Sequence, residues 1–260
     1  MRNFYVLAAL CASAMTASAQ APAYKAPRGP DGKPNINGIW QALNTANWNL
    51  EDHASQASLV VPTGSLLAEP GGPGVVDGGE IPYLPAAKAK KDENYKNRMN
   101  LDPEVRCYLP GVPRAAYMPY PFQIFQSDKA LAIAYQYDGA FRNIYLKDPG
   151  PAPADSWMGQ SYGKWEGDTL VVDVTGLDER TWFDRSGNYH SDQLHVVERY
   201  TPTSANTMNY EATMTDPAVF SRPWKISMPL YRHVEKNARL MEFKCVEFVE
   251  EFMYGQFRKK

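Results

Sequence analysis

Residues 165–200 read WEGDTLVVDVTGLDERTWFDRSGNYHSDQLHVVERY. TLVVDVT and LHVVERY are rich in β-branched residues and bounded by turn residues, which marks each as a strand. The connection between them, residues 176–193, is far longer than a hairpin turn. It also holds or adjoins two of the four histidines of the chain, with Asp, Glu and Arg as neighbours. A long loop in an otherwise economical all-β chain is a place to look for function.

The same strand pattern extends in both directions. FQIFQ, ALAIAYQY, FRNIYL and GQSYGKW precede the stretch, and TMNYEATMT, WKISMPLYR and LMEFKCVEFVEE follow it. Short polar turns, such as Ser127-Asp128-Lys129 and Glu166-Gly167-Asp168, separate several of them. About nine short strands with no helix-length segment between them exclude a βαβ fold. The expected fold is all-β, an antiparallel up-and-down meander that closes into a lipocalin-like barrel and so leaves no exposed edge.

This barrel domain is expected over 106–260. Residues 20–105 form an N-terminal extension, an irregular Pro/Gly-rich arm with one short helix at about 86–99, where AAKAKKDENYKNRM has helix formers and no breaker. Near the start of the extension stands Gly38-Ile39-Trp40, a Gly-x-Trp shared with lipocalin-type barrels, where the Trp plugs one end. Residues 1–19 read as a signal peptide: Arg2, then the apolar run FYVLAALCA, then Ala17-Ser18-Ala19 as a small-x-small cleavage pattern. That run is too short for a membrane span, which needs roughly 20 apolar residues. The mature chain is therefore expected to be exported to the periplasm or beyond, with cleavage near Ala19.

The formal charge is −2, or about −3 without Arg2, and no basic stripe occurs. Nucleic acid binding, which needs clustered Lys and Arg, is excluded as an expectation. Cys107 and Cys245 remain after cleavage, and in an oxidising compartment an even pair favours a disulfide. Two buried thiols are the other reading.

Within the long connection, His190 is the candidate general acid or base, because an imidazole titrates near neutrality. Asp184 or Asp192 would orient it, and His195 or Arg185 would stabilise developing negative charge. The competing reading makes His190 a solvated turn residue and Asp184 the cap of the turn at 184–187. Trp182 and Tyr189 would contact an apolar or aromatic small molecule, and Arg114 and Arg142 would meet a carboxylate on it. Strand parity puts His195 and Glu198 on opposite faces, so a buried Glu198 needs a partner. No nucleophile motif or phosphate loop is present.

Three functions fit these residues. One is cofactor-free acid–base catalysis on an apolar or aromatic molecule by a lyase, isomerase or hydrolase. The second is a lipocalin-like binding protein without catalysis. The third is a metal-dependent enzyme using His190, Asp192 and His195, a donor set suited to iron or zinc. The segments PDGKPNINGIW, DPEVRCYLPGVPR, PYPFQIFQ and the block from WMGQSYGKWEGDTLVV to DRSGNYHSD resemble a largely uncharacterised family of exported proteins from soil and aquatic bacteria. The resemblance implies export and one β-rich domain, and it carries over no catalytic residue.

Overall fold

The computed structural model describes residues 24–57 and 68–257. The signal peptide expected at 1–19 lies outside the described residues. Among them, nine strands form a closed barrel in chain order: β1 Gly38–Ala42, β2 Phe122–Gln126, β3 Ala130–Tyr135, β4 Phe141–Tyr145, β5 Gln160–Glu166, β6 Thr169–Thr175, β7 His195–Pro202, β8 Thr207–Thr215 and β9 Trp224–Arg232. Inward and outward residues alternate with strand parity, most cleanly along β7 and β8. The interior is filled by large side chains, among them Phe122, Tyr135, Tyr200, Tyr210, Met214 and Leu230. Packing is close enough to require a glycine at inward position 163, where a Cβ would stand 2.6 Å from an Ile144 methyl.

The structure departs from the expected meander in three places. β4 and β5 pair in parallel, with Ile144 opposite Ser161 and Tyr145 opposite Tyr162. The segment 146–159, which includes Pro149, Pro151 and Pro153, turns the chain back so that β5 runs in the same direction as β4, its first residues beside the last residues of β4. Every other pairing is antiparallel. The second departure is that the first barrel strand comes from the segment assigned to the extension. β1 closes the barrel between β2 and β9, so the barrel does not begin at 106. In the third, LMEFKCVEFVEE does not form a strand. With β1 and β9 paired there is no free edge for it to join, and the tail instead runs up the outer wall to a short helix, α3 Val249–Tyr254.

The two ends of the barrel differ. At one end the tight hairpins β2–β3, β5–β6 and β7–β8 turn, and Trp40 plugs the opening. Its indole N–H donates to the Ile36 carbonyl at 3.0 Å, and the Arg232 guanidinium lies 4.2 Å over its ring. At the other end the long connections gather: 43–121, 176–194, 216–223 and the returning tail. There lies α1 Pro85–Lys96, close to the helix read from sequence, followed by α2 Arg98–Leu101. Among the described residues no helix is long and apolar enough to cross a membrane.

Candidate functional site

The connection 176–193 folds back on itself. Trp182 bridges to Tyr189, and the Phe183 N–H donates to the Asn188 carbonyl at 2.7 Å. The turn between them needs Gly187, which sits at φ +81°, and a Cβ there would meet the backbone N of Tyr95 in α1 at 2.7 Å. Asp184 ties the turn together. Its carboxylate accepts from the backbone N–H of Ser186 at 2.9 Å and of Asn188 at 3.3 Å. It also accepts from the Asn188 side chain at 2.6 Å and from the Leu50 N–H at 2.9 Å. Burial pushes this carboxyl up to about 6, against the pull of those donors. Asp184 is thus a turn cap that also fastens the loop to residues 47–50.

The pairing of His190 with Asp184 or Asp192 does not form. His190 is buried, and its Nδ1 lies 2.8 Å from the Ser191 carbonyl, so Nδ1 carries the proton. Nε2 then accepts from the Thr181 hydroxyl at 2.6 Å. Burial lowers the imidazole pKa, which keeps the ring neutral near pH 7. Both nitrogens are occupied and neither is presented to solvent. Asp192 is exposed in a turn, and Asp184 is committed to the donors just described. The carboxylate that fixes this corner is Asp216, which accepts from the Ser191 N–H at 2.7 Å and the Ser191 hydroxyl at 2.9 Å.

His195 points outward from β7, with Nε2 2.8 Å from the Asp173 carboxylate on the half-exposed wall. The metal set of His190, Asp192 and His195 therefore does not converge. Among the described residues no group of three His, Cys, Asp or Glu is arranged to hold a metal.

Arg142 and Arg114 are both buried and internally satisfied in large part. In the barrel interior the Arg142 guanidinium pairs with Glu198 and donates from Nε to the Ser161 hydroxyl at 2.7 Å. Its Nη1 has no partner. The hydroxyls of Tyr200 and Tyr210 donate to the same Glu198 oxygen at 2.9 and 2.8 Å. Burial and the nearby Glu198 charge push both phenols well up, so they remain neutral donors. Arg114 donates to Asn47 at 2.9 Å, to Asp102 at 3.3 Å and to Glu104 at 2.8 Å. Neither arginine lines the open cleft that Arg185 reaches. Trp182 and Tyr189 are buried in the cap, where Tyr189 stacks on Tyr83 with ring centroids 6.2 Å apart.

Arg185 is the sequence-predicted residue that reaches an open cleft. Its Nε and Nη2 hold the two Glu104 oxygens at 2.7 and 2.6 Å, a bidentate fork. This pair stands in a cleft of about 240 Å³ between the loop, the 3-10 turn Pro103–Arg106 and the tail. The wall opposite is aromatic: Phe243 of the tail lies 4.9 Å from Tyr120 and 5.2 Å from Tyr137, centroid to centroid. The tail is held there by the Cys107–Cys245 disulfide and by the Phe248 N–H, which donates to the Val105 carbonyl at 2.8 Å. Glu104, Asp216 and Phe243 were not singled out from the sequence, and Tyr120 stood out only as one of a surplus of aromatics suited to a pocket. Each lies well outside 176–193, and sequence spacing carries no signal for contacts across such distances.

Burial by itself would raise the Glu104 carboxyl. Arg185, Arg114 and Asn47 outweigh it and hold it down at about 2, against an ordinary 4.5. A carboxylate depressed on folding stabilises the fold above its unfolded pKa, and that stability is lost as pH falls toward the folded value. Glu104→Gln is therefore expected to be less stable than wild type at pH 7, with the gap closing between pH 4.5 and 2. Urea melts at several pH values test this, and a gap that persists undiminished at pH 2 would contradict it.

No family model, curated protein or solved structure matches the chain, so the site rests on its own geometry.

Proposed function

We propose that the protein binds an apolar or aromatic small molecule in the cleft between the C-terminal tail and the barrel end, without transforming it. The observation that carries this reading is the pairing of an aromatic wall, Tyr120, Tyr137 and Phe243, with a fixed guanidinium, Arg185, around one opening. Ligand sites are generally concave, mostly apolar and furnished with a few polar groups that set orientation. The volume suits a ligand of one or two rings, with its polar group toward Arg185.

Catalysis by His190 is the weaker reading, because the ring is buried, neutral and bonded at both nitrogens. A lipocalin-like carrier is the nearest architectural analogy, with Trp40 closing one end. Here, however, large side chains fill the lumen, so the ligand would sit beside the barrel mouth. The disulfide supports an oxidising compartment and hence export.

Isothermal titration against a panel of aromatic carboxylates and neutral aromatics tests the proposal. Phe243→Ala and Arg185→Met are each expected to weaken the best binder by about tenfold or more, equivalent to ~1.4 kcal/mol. Circular dichroism checks that the fold is retained. Unchanged affinity in both folded variants would overturn the assignment of the cleft.

A further inference from the structure

The end of the barrel away from the tail cleft holds a second concavity, of about 250 Å³, between the segment leading into β1 and the β7–β8 turn. Tyr24, Pro27, Ile36, Trp40 and Pro202 give it apolar walls, and Arg232 is the charged side chain among its lining residues. Arg232 stands opposite Trp40 in the β1–β9 pair, with its guanidinium over the indole. Gly38 makes the space for it. That residue sits at φ +133°, and a Cβ there would come 2.3 Å from Arg232 Nη1, so a side chain at 38 would push the guanidinium off the ring.

Two of the three nitrogens are used by main-chain carbonyls. Nη1 donates to Asn37 and Nε to Ala205, the latter at 3.1 Å. Among the described residues Nη2 has no acceptor, and the guanidinium has no carboxylate partner. The arginines at the other end and in the lumen differ in this respect: Arg142 pairs with Glu198, and Arg114 and Arg185 pair with Glu104. Burial lowers the Arg232 pKa. At Arg142 and Arg114 burial pulls the same way and is outweighed by their carboxylates, so both are raised. The wall that contributes Tyr24, Ala26 and Pro27 brings no counter-charge, because residues 1–30 contain no Asp or Glu. A half-buried cation without a counter-charge is unfavourable, and a bound anion relieves it.

We propose that this pocket binds a small monocarboxylate with an apolar or aromatic body, its carboxylate on the Arg232 guanidinium. One cation calls for one negative charge, and the planar guanidinium fork matches a carboxylate. The volume is below the roughly 300–1,000 Å³ of drug-sized sites, which limits the body to about one ring or a short branched chain. The site is separate from the tail cleft, and neither depends on the other.

The Trp40 indole N–H, bonded to Ile36 at the pocket wall, reports on this site and not on the tail cleft. Its signal in a proton–nitrogen correlation spectrum of the mature protein, assigned with Trp40→Phe, is followed while benzoate, benzyl alcohol or benzylamine is added. Benzoate is expected to shift it saturably, with a dissociation constant of about 1 mM or tighter. The neutral and cationic analogues should bind at least about tenfold more weakly. Ala205→Glu places a carboxylate on an exposed residue whose carbonyl already meets Arg232, so the chain then supplies the counter-charge. This variant should stay folded and lose at least about tenfold in benzoate affinity. Arg232→Met, which keeps an apolar stem over Trp40, should act likewise; if it fails to fold, Ala205→Glu decides alone. Phe243→Ala, which disables the tail cleft, should leave all of these readings unchanged. The proposal is overturned by the absence of a saturable benzoate shift up to about 20 mM, by equal affinity for benzyl alcohol, or by unchanged benzoate affinity in Ala205→Glu.

Discussion

Glu198→Leu is expected to lower the unfolding free energy by about 3–5 kcal/mol, the usual consequence of leaving one member of a buried ion pair without the other. Glu198 is fully buried, and so is Arg142. Without the carboxylate, the guanidinium loses its only ion-pair partner among the described residues but keeps the Nε bond to Ser161, and its Nη1 already lacks a partner. The hydroxyls of Tyr200 and Tyr210 also lose their shared acceptor. Three donor groups, Arg142 Nη2 and the two phenol hydroxyls, thus lose their acceptor in a closed, tightly packed interior, where each unmade hydrogen bond costs about 1–3 kcal/mol.

The double variant Arg142→Met with Glu198→Leu separates the charge from the packing. It removes both ions at similar volume and should recover much of the loss, because apolar replacement of a buried pair is often close to neutral. Urea midpoints read at constant slope measure the cycle. If the double variant is as unstable as the sum of the single ones, the pair is not a coupled unit and the argument fails.

This ion pair also shows what was legible in the sequence. Parity along LHVVERY sets Glu198 and His195 on opposite faces, which is enough to say that Glu198 needs a partner if its face is the inner one; which face is inner was not legible. That the partner is Arg142 follows only from the closure of the barrel, which brings β4 and β7 across from one another. The strands themselves were readable wherever alternation was uninterrupted: TLVVDVT, TMNYEATMT and WKISMPLYR correspond residue for residue to β6, β8 and β9.

β1 was harder, because a five-residue strand separated from β2 by a long irregular segment has no neighbour in the pattern. The tail LMEFKCVEFVEE alternates for another reason: one side, with Phe243 and Cys245, faces the barrel end. In the long loop, nearness in sequence suggested a His–Asp pair. The chain instead uses its short-range carboxylate, Asp184, for turn closure, which competes with any other role for an Asp so placed. Charges that do meet in space, Arg185 with Glu104, are 81 residues apart.

Removing the disulfide with Cys107→Ser and Cys245→Ser is expected to act twice, on stability and on the cleft. The bridge spans 138 residues of sequence. For a loop of that size the chain-entropy account gives up to about 5 kcal/mol, and native bridges commonly contribute about 2–5 kcal/mol. The larger structural consequence is local. Among the described residues the tail beyond β9 forms no strand, and α3 is too short to hold itself in place. Apart from the bridge, its attachments include the Met241 N–H to the Gln136 side chain at 2.9 Å, the Phe248 N–H to Val105 and the packing of Phe243 on two tyrosines. Those contacts are individually worth about 1 kcal/mol each, on the scale of single hydrogen bonds and aromatic pairs.

Opening the bridge should therefore release the tail before the barrel unfolds, and with it the Phe243 wall of the cleft. Hydrogen exchange should show loss of protection at residues 241–249 while β6 to β9 remain protected. Ligand affinity should fall at least as far as in Phe243→Ala. The charged floor made by Glu104, Arg185 and Arg114 does not depend on the tail, so the acid-dependent stability assigned to Glu104 should survive in the double-serine variant. A variant that keeps tail protection and full affinity would show that the cleft stands without the bridge.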